Sequence, residues 1–427
     1  MTTIAGNSTI TVAASRWRDP AAWRKAADVV AILTAASLPW STSATGILGV
    51  VLLITIVPAL DWPAFLQSLK RPASALPIAL FLLAVVGILW SDAAWGARLH
   101  GISPVAKLLM LPLLLFHFER SERGLWVCVA FLVSCVLLMC VSWVVAFHPE
   151  LTLKANSDER GIFVKDYINQ SQEFTLCAVA LAYPIMQRLR EGKIWTALLL
   201  GLAALSLVAN MVFVVVARTA LVAMPLLLAV FAVRHLRWRT TLAIAVGGVA
   251  LAVLAWLASP ELQSKTASFA TEYKLYREQG QATSIGLRLE FWRKSAGFIA
   301  EAPLVGHGTG STRGLFEQAV VGTDAMASGQ VVGNPHNQTL NVAVQWGAIG
   351  VILLYAMWLS HLLLFRGEGL IAWIGLAVVL QNILSSLFNS HLFDFHEGWM
   401  YVLGVGVAGG MVSRLKETGR ESHATGA

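Results

Sequence analysis

His336 stands in the run Asn334-Pro335-His336-Asn337, directly ahead of an apolar stretch. Proline disfavours helix for the residue before it, so a long helix starts about here. A histidine at such a boundary can take a proton from a hydroxyl near neutral pH. The plain alternative is a polar residue opening a helix. Asn337 is placed to hydrogen-bond and orient it. Arg218 lies in VVVARTALVA (214–223), between two apolar runs with almost no loop. A guanidinium there is costly unless it snorkels to lipid headgroups, is paired, or faces a wet cavity. Arg288 comes four residues before Trp292, with Glu290, Arg293 and Lys294 nearby; a solvated helix face explains it as well. Arg160 and Lys165 flank GIFV (161–164), and Asp158, Glu159 and Asp166 beside them are ready salt-bridge partners. Arginine grips phosphate through paired N–H bonds and lysine adds a point charge. Converging on one face, such cations would hold a phosphate group.

Two further segments invite a chemical reading. The turn Gly306-His307-Gly308-Thr309-Gly310-Ser311 can aim backbone N–H groups at phosphate. It lacks a P-loop lysine and a preceding strand, so a tight loop is the default. The segment NSHLFDFHEGW (389–399) puts His391, Asp394, His396 and Glu397 on one outer face. Two histidines and two carboxylates can bind a metal, but their spacing is not diagnostic. No DxD motif occurs in the outer loops, which argues against a metal-dependent sugar-phosphate transferase, and no metal is expected.

The elements that must position these residues are membrane helices. The chain has 427 residues, 57% hydrophobic and 13% charged, with a mean hydropathy of +0.67. Soluble proteins carry about 25% charged residues. Apolar runs long enough to cross a bilayer recur along almost the whole length. Lipid requires every backbone group to be paired, so the expected class is an all-α polytopic membrane protein. Twelve spans are expected, near 26–42, 43–60, 74–91, 101–117, 125–147, 173–187, 194–216, 219–233, 241–258, 336–364, 370–388 and 398–412. They read as largely uninterrupted, with charges at their ends, which argues against a transporter built on broken helices. No removable leader is expected; RWRDPAAWRK (16–25) is a basic lead-in to the first span.

The net charge of +7 punctuates the spans and reads as a topology signal, not a nucleic-acid surface. One set of loops holds 18 Lys and Arg residues and the short loops opposite hold 6. Both termini are therefore expected in the cytoplasm. The four cysteines, Cys128, Cys135, Cys140 and Cys177, fall in apolar runs and read as small core residues. The chain divides into spans 1–9 (1–258), a large outer loop (259–335), and spans 10–12 with a C-terminal tail (336–427). In the loop, Ser259-Pro260 is a helix start, and Leu262, Phe269, Tyr273 and Tyr276 form one apolar stripe. A second loop helix is expected over about 284–300, with Ile285, Leu289, Trp292, Ala296 and Ile299 on one face.

Taken in order, four features resemble the O-antigen ligase and polymerase superfamily of bacterial envelope glycosyltransferases. They are the short turn bearing Arg218, Arg288 with Trp292 in the large loop, Pro303-Leu-Val-Gly-His-Gly-Thr-Gly, and His336-Asn337 with Gly347 and Gly350 in the helix beyond. The ligase branch is the nearest likeness. The resemblance implies a GT-C-like helical fold, an inner-membrane location and a periplasmic active site. It implies an undecaprenyl-pyrophosphate-linked polysaccharide donor, a sugar hydroxyl of lipid A-core as acceptor, inversion at the anomeric carbon, and no metal or other cofactor. His336 would act as base, and Arg218 and Arg288 would stabilise the leaving pyrophosphate. Arg160, Lys165, Asn337 and Trp292 would contact pyrophosphate or glycan. Polymerases and protein O-oligosaccharyltransferases of the same superfamily share these features.

Overall fold

Each expected span coincides with a helix in the computed structural model, which describes residues 19–154, 160–215, 217–320 and 326–425. Arg16, Arg18, Asp158 and Glu159 lie outside the described residues. The helices in order are α1 (Pro20–Ser37), α2 (Thr42–Ile56), α3 (Trp62–Ser68), α4 (Pro72–Val86), α5 (Trp95–Ala106), α6 (Met110–Arg120), α7 (Gly124–Phe147), α8 (Tyr167–Arg190) and α9 (Ile194–Phe213). After them come α10 (Arg218–His235), α11 (Trp238–Ala258), α12 (Pro260–Gln279), α13 (Ser284–Glu301), α14 (Thr312–Ala319), α15 (Gln338–Leu364), α16 (Leu370–Ser385) and α17 (Phe395–Thr425). No strand occurs among the described residues. The chain is an all-helical polytopic membrane protein.

Among the described residues, seven helices, or helix pairs running on as one, are long and apolar enough alone to cross a membrane, eight if the bent pair α3–α4 counts as one span. The expected twelve is therefore not reached on length and composition. The shortfall has a physical source. Helix α16 has only 16 residues, α1 carries Arg24, Lys25 and Asp28 near its start, and α8 opens with Gln170, Gln172 and Glu173. In α8 those polar side chains point inward and are buried. Helices α6, α15, α16 and α17 supply much of the core, in which Trp346, Trp373 and Tyr401 are fully buried.

Helix α15 corrects the expectation of uninterrupted spans. It breaks at Trp346 (φ −131°, ψ 16°) and Gly347 (φ 55°, ψ −152°). A break in lipid would strand backbone groups. Here the loop 303–311 supplies them. His307 and Gly308 N–H groups donate to the Val344 and Gln345 carbonyls (2.9 and 2.8 Å), and Ala348 and Ile349 donate to Pro303 and Leu304 (2.9 and 3.3 Å). Trp346 Nε1 donates to Thr309 Oγ1 (2.9 Å), which itself donates to the Ala84 carbonyl at the end of α4 (2.6 Å). The glycine-rich turn thus spends its N–H groups on a broken helix and holds no open anion nest.

The large loop contains the two expected helices and a third, α14, which its short length hid from periodicity. Ser259 caps α12 by accepting from Leu262 N–H (3.2 Å), with Pro260 at the first position. The packed face of α13 differs from the expected one. Phe291 and Phe298 are buried against Phe316 of α14 (ring centroids 5.6 and 5.3 Å), while Ala296 lies exposed. On α12, Phe269 and Tyr273 also remain exposed.

Candidate active site

The site is built where three segments meet at one end of the bundle: the start of α10, the helices α12 and α13, and the turn before α15. His336 sits in the last of these. It is the one non-glycine residue with positive φ among the described residues (53°). Such conformations cost energy and cluster at functional sites. The turn holds it by several bonds. His336 N–H donates to Asn334 Oδ1 (3.0 Å), and the same oxygen accepts from Ser390 Oγ (2.7 Å). Trp292 Nε1 donates to the Pro335 carbonyl (3.1 Å).

The imidazole is held by Asn389. Nδ1 lies 2.9 Å from Asn389 Oδ1, an acceptor, so Nδ1 carries the proton and Nε2 keeps its lone pair. Burial lowers the pKa of His336 below the ordinary histidine value; the Asn389 bond opposes this and the Arg288 charge reinforces it. The ring is therefore a neutral base at neutral pH.

Arg218 is the first residue of α10, following extended Ala217. Its Nη2 donates to Ser268 Oγ (2.5 Å) and to Glu272 Oε1 (2.6 Å), both on α12, and its guanidinium lies 4.5 Å from the Phe269 ring centre. Burial alone would raise the Glu272 carboxyl, but the Arg218 contact holds it below the usual range. Arg288 projects from α13 into the same region. Its charge interacts with Arg218, Glu272 and Tyr167, but no hydrogen bond or ion pair holds its guanidinium among the described residues. Burial pulls its pKa down, so an arriving anion would be strongly favoured there.

The structure thus brings Arg218, Arg288 and His336 to one region and places the other expected residues differently. Trp292 is bonded to the turn carrying His336. Asn337 does not orient the histidine. It caps α15 by accepting from Leu340 N–H (3.0 Å) and donates to the Leu387 carbonyl (3.0 Å). Arg160 donates to the Ala146 carbonyl (3.2 Å) and lies near Phe147. Lys165 is drawn into the bundle: its Nζ donates to the Leu38 carbonyl and to His396 Nδ1 (2.9 Å), and pairs with Glu173 (3.6 Å). Neither Arg160 nor Lys165 contacts the two arginines among the described residues.

The four metal-capable residues of 389–399 do not converge. No group of three His, Cys, Asp or Glu side chains among the described residues has metal-binding geometry. His396 is used by Lys165 and by Thr42 (3.2 Å). Lys107 donates to the Phe393 carbonyl (3.0 Å) and to that of Asp394. Burial pushes His391 down to about 4, and both its ring nitrogens lack a hydrogen-bond partner among the described residues.

Asn389 and Glu272 were missed in the sequence. Asn389 is followed by four residues with more obvious chemistry, and Glu272 lies on a helix read for its aromatic stripe. Only a pairing argument, asking what neutralises Arg218, would have pointed to Glu272.

The sequence model of the O-antigen ligase family matches residues 202–355. The matched stretch includes Arg218, Glu272, Arg288, Trp292 and His336 and ends within α15, so Asn389 lies beyond it. No similar sequence was found among curated proteins.

Proposed function

Residues 202–355 match the O-antigen ligase family, and on that premise we propose that the protein is a glycosyltransferase that moves O-antigen polysaccharide from undecaprenyl pyrophosphate to a sugar hydroxyl of lipid A-core. The observation that carries this reading is the arrangement of Arg288, which makes no hydrogen bond or ion pair among the described residues, with Arg218 and the neutral His336, both of which feel its charge. A pyrophosphate leaving group needs its growing negative charge stabilised, and two guanidiniums do this. His336 Nε2 takes the proton from the acceptor hydroxyl as its oxygen bonds to the anomeric carbon. The bond from that carbon to the pyrophosphate oxygen breaks at the opposite face, and the electron pair leaves with the pyrophosphate. The configuration inverts, and no metal is invoked. Trp292 fixes the turn of the base, and Asn337 holds the helix start.

On this reading the site faces the periplasm, both termini are cytoplasmic and the bilayer is the bacterial inner membrane. The test is reconstitution of the purified protein with the prenyl-linked glycan and lipid A-core in EDTA. A glycan-shifted lipid A-core band supports the ligase. Longer prenyl-linked chains in its place would reassign it to a polymerase, and transfer to a pilin acceptor to a protein O-oligosaccharyltransferase.

A further inference from the structure

A second cavity, of about 360 Å³, opens at the other end of the bundle. It lies between the start of α4 and the ends of α6 and α15, with α17 alongside. Three cations, Arg71, Arg366 and Lys416, line it, against the single carboxylate of Glu119, with hydroxyls from Ser74 and Ser413. Glu119 is used by Arg71 (2.6 Å). Among the described residues no carboxylate pairs with Arg366 or Lys416; Lys416 makes one long contact, 3.5 Å to the Leu364 carbonyl. Glu417, outside the lining, also lies 3.8 Å from Arg71, so Arg366 and Lys416 are the cations left facing the opening. The position of Arg366 is fixed from behind, since Arg234 Nη2 donates to the carbonyls of Phe365, Arg366 and Gly367 (3.3, 2.6 and 2.6 Å).

The depth of the cavity in the membrane follows from α3, whose last residue, Ser68, is at its mouth. Helix α3 is bent by 83° from α4 and so runs across the bundle. Phe65 anchors it against Phe116 (centroids 5.4 Å). Trp62 and Leu66, one turn apart, point away from the protein and are more than half exposed (51% and 57%). A short helix lying crosswise with Trp and Leu outward belongs at the water–lipid boundary. The cations beside it are then at the level of phospholipid phosphates. The cavity wall also contains Leu115, Leu363 and Leu364, apolar surface suited to the upper part of an acyl chain.

We propose that this cavity binds the phosphodiester headgroup of an anionic glycerophospholipid through Arg366 and Lys416. Clustered basic side chains between membrane helices attract such headgroups at about 1 kcal/mol per charge. A zwitterionic lipid brings its own cation and gains much less.

The test is native mass spectrometry of the full-length protein in detergent. Phosphatidylglycerol and phosphatidylcholine with the same acyl chains are compared. The protein should retain phosphatidylglycerol preferentially. The double variant Arg366→Gln/Lys416→Gln should retain about thirtyfold less of it, with phosphatidylcholine unchanged. Arg366→Lys with Lys416→Arg should restore retention. Both positions are exposed, and equal melting of all variants in lipid-free detergent checks the fold; Lys416→Gln alone is the fallback variant. Unchanged phosphatidylglycerol retention in the glutamine variants would overturn the proposal. So would displacement of the lipid by millimolar inorganic phosphate, which would mark a site for a free anion.

Discussion

Glu272 joins the two arginines of the site: its Oε1 accepts from Arg218 Nη2 (2.6 Å) and its Oε2 from the Ile285 N–H (3.2 Å), in the turn of α13 just ahead of Arg288. One carboxylate thereby sets the spacing of two guanidiniums that would otherwise repel. It takes only Nη2 of Arg218, and among the described residues Nε and Nη1 have no hydrogen-bond acceptor, leaving them for a ligand.

Glu272→Gln should keep the shape of this bridge and lose its charge. The expected result is a rise of about tenfold in the donor KM, the factor carried by about 1.4 kcal/mol, with the acceptor KM unchanged. Steady-state kinetics with each substrate varied in turn checks it. Equal effects on both substrates would mean that Glu272 only supports the fold.

His336→Ala should lower kcat by about 100- to 10,000-fold, the usual share of a general base, while donor binding persists. A variant that binds donor and still transfers at the normal rate would exclude His336 as the base.

The pH profile gives an independent check. The base must be deprotonated, so kcat/KM falls as pH drops through the His336 pKa. Burial places that pKa below the ordinary value of about 6.5. The Asn389 bond raises it, so Asn389→Ala should move the acid limb to lower pH. Arg288 lowers it, so Arg288→Gln should move the limb upward in whatever activity remains. A limb fixed in both variants would show that another group titrates.

Gly347→Ala should destabilise the protein by more than about 2 kcal/mol, since L-residues avoid this backbone region. Its Cβ would also lie 2.4 Å from the Leu304 carbonyl carbon. Gly297→Ala is the control. Its Cβ meets nothing within 4 Å, and an exposed helical position should gain slightly from alanine. Thermal unfolding in detergent compares the two.

Some of this was legible in the sequence because charge in an apolar context is conspicuous. Arg218 had no loop in which to hide, and Asn334-Pro335 announced the helix start beside His336. The helix start at Ser259 was readable because short polar side chains cap helices by local rules, and the second loop helix was readable from its apolar spacing. What depends on distant segments meeting was not. Nothing near Asn389 says that a histidine 53 positions earlier will use its oxygen. The sequence offered Lys165 nearby acids or a phosphate, because its actual partners, Leu38, His396 and Glu173, are brought to it only by packing. Helix α13 carries two apolar stripes, and the contact with Phe316 decided which one is buried. The break at Trp346-Gly347 was invisible because both residues are compatible with an apolar span, and its hydrogen-bonding partner lies some 40 positions earlier.

That break makes the large loop a poor candidate for transplantation. Its turn 303–311 completes the backbone pairing of α15 and reaches the end of α4, so the loop and the bundle are one unit of folding. A chimera carrying only 259–335 into a relative would leave the host's own helix ends mismatched. A workable exchange would have to move the α4–α5 corner and the middle of α15 with it, and a variant selected for altered acceptor choice would be confined to changes that leave this seam intact.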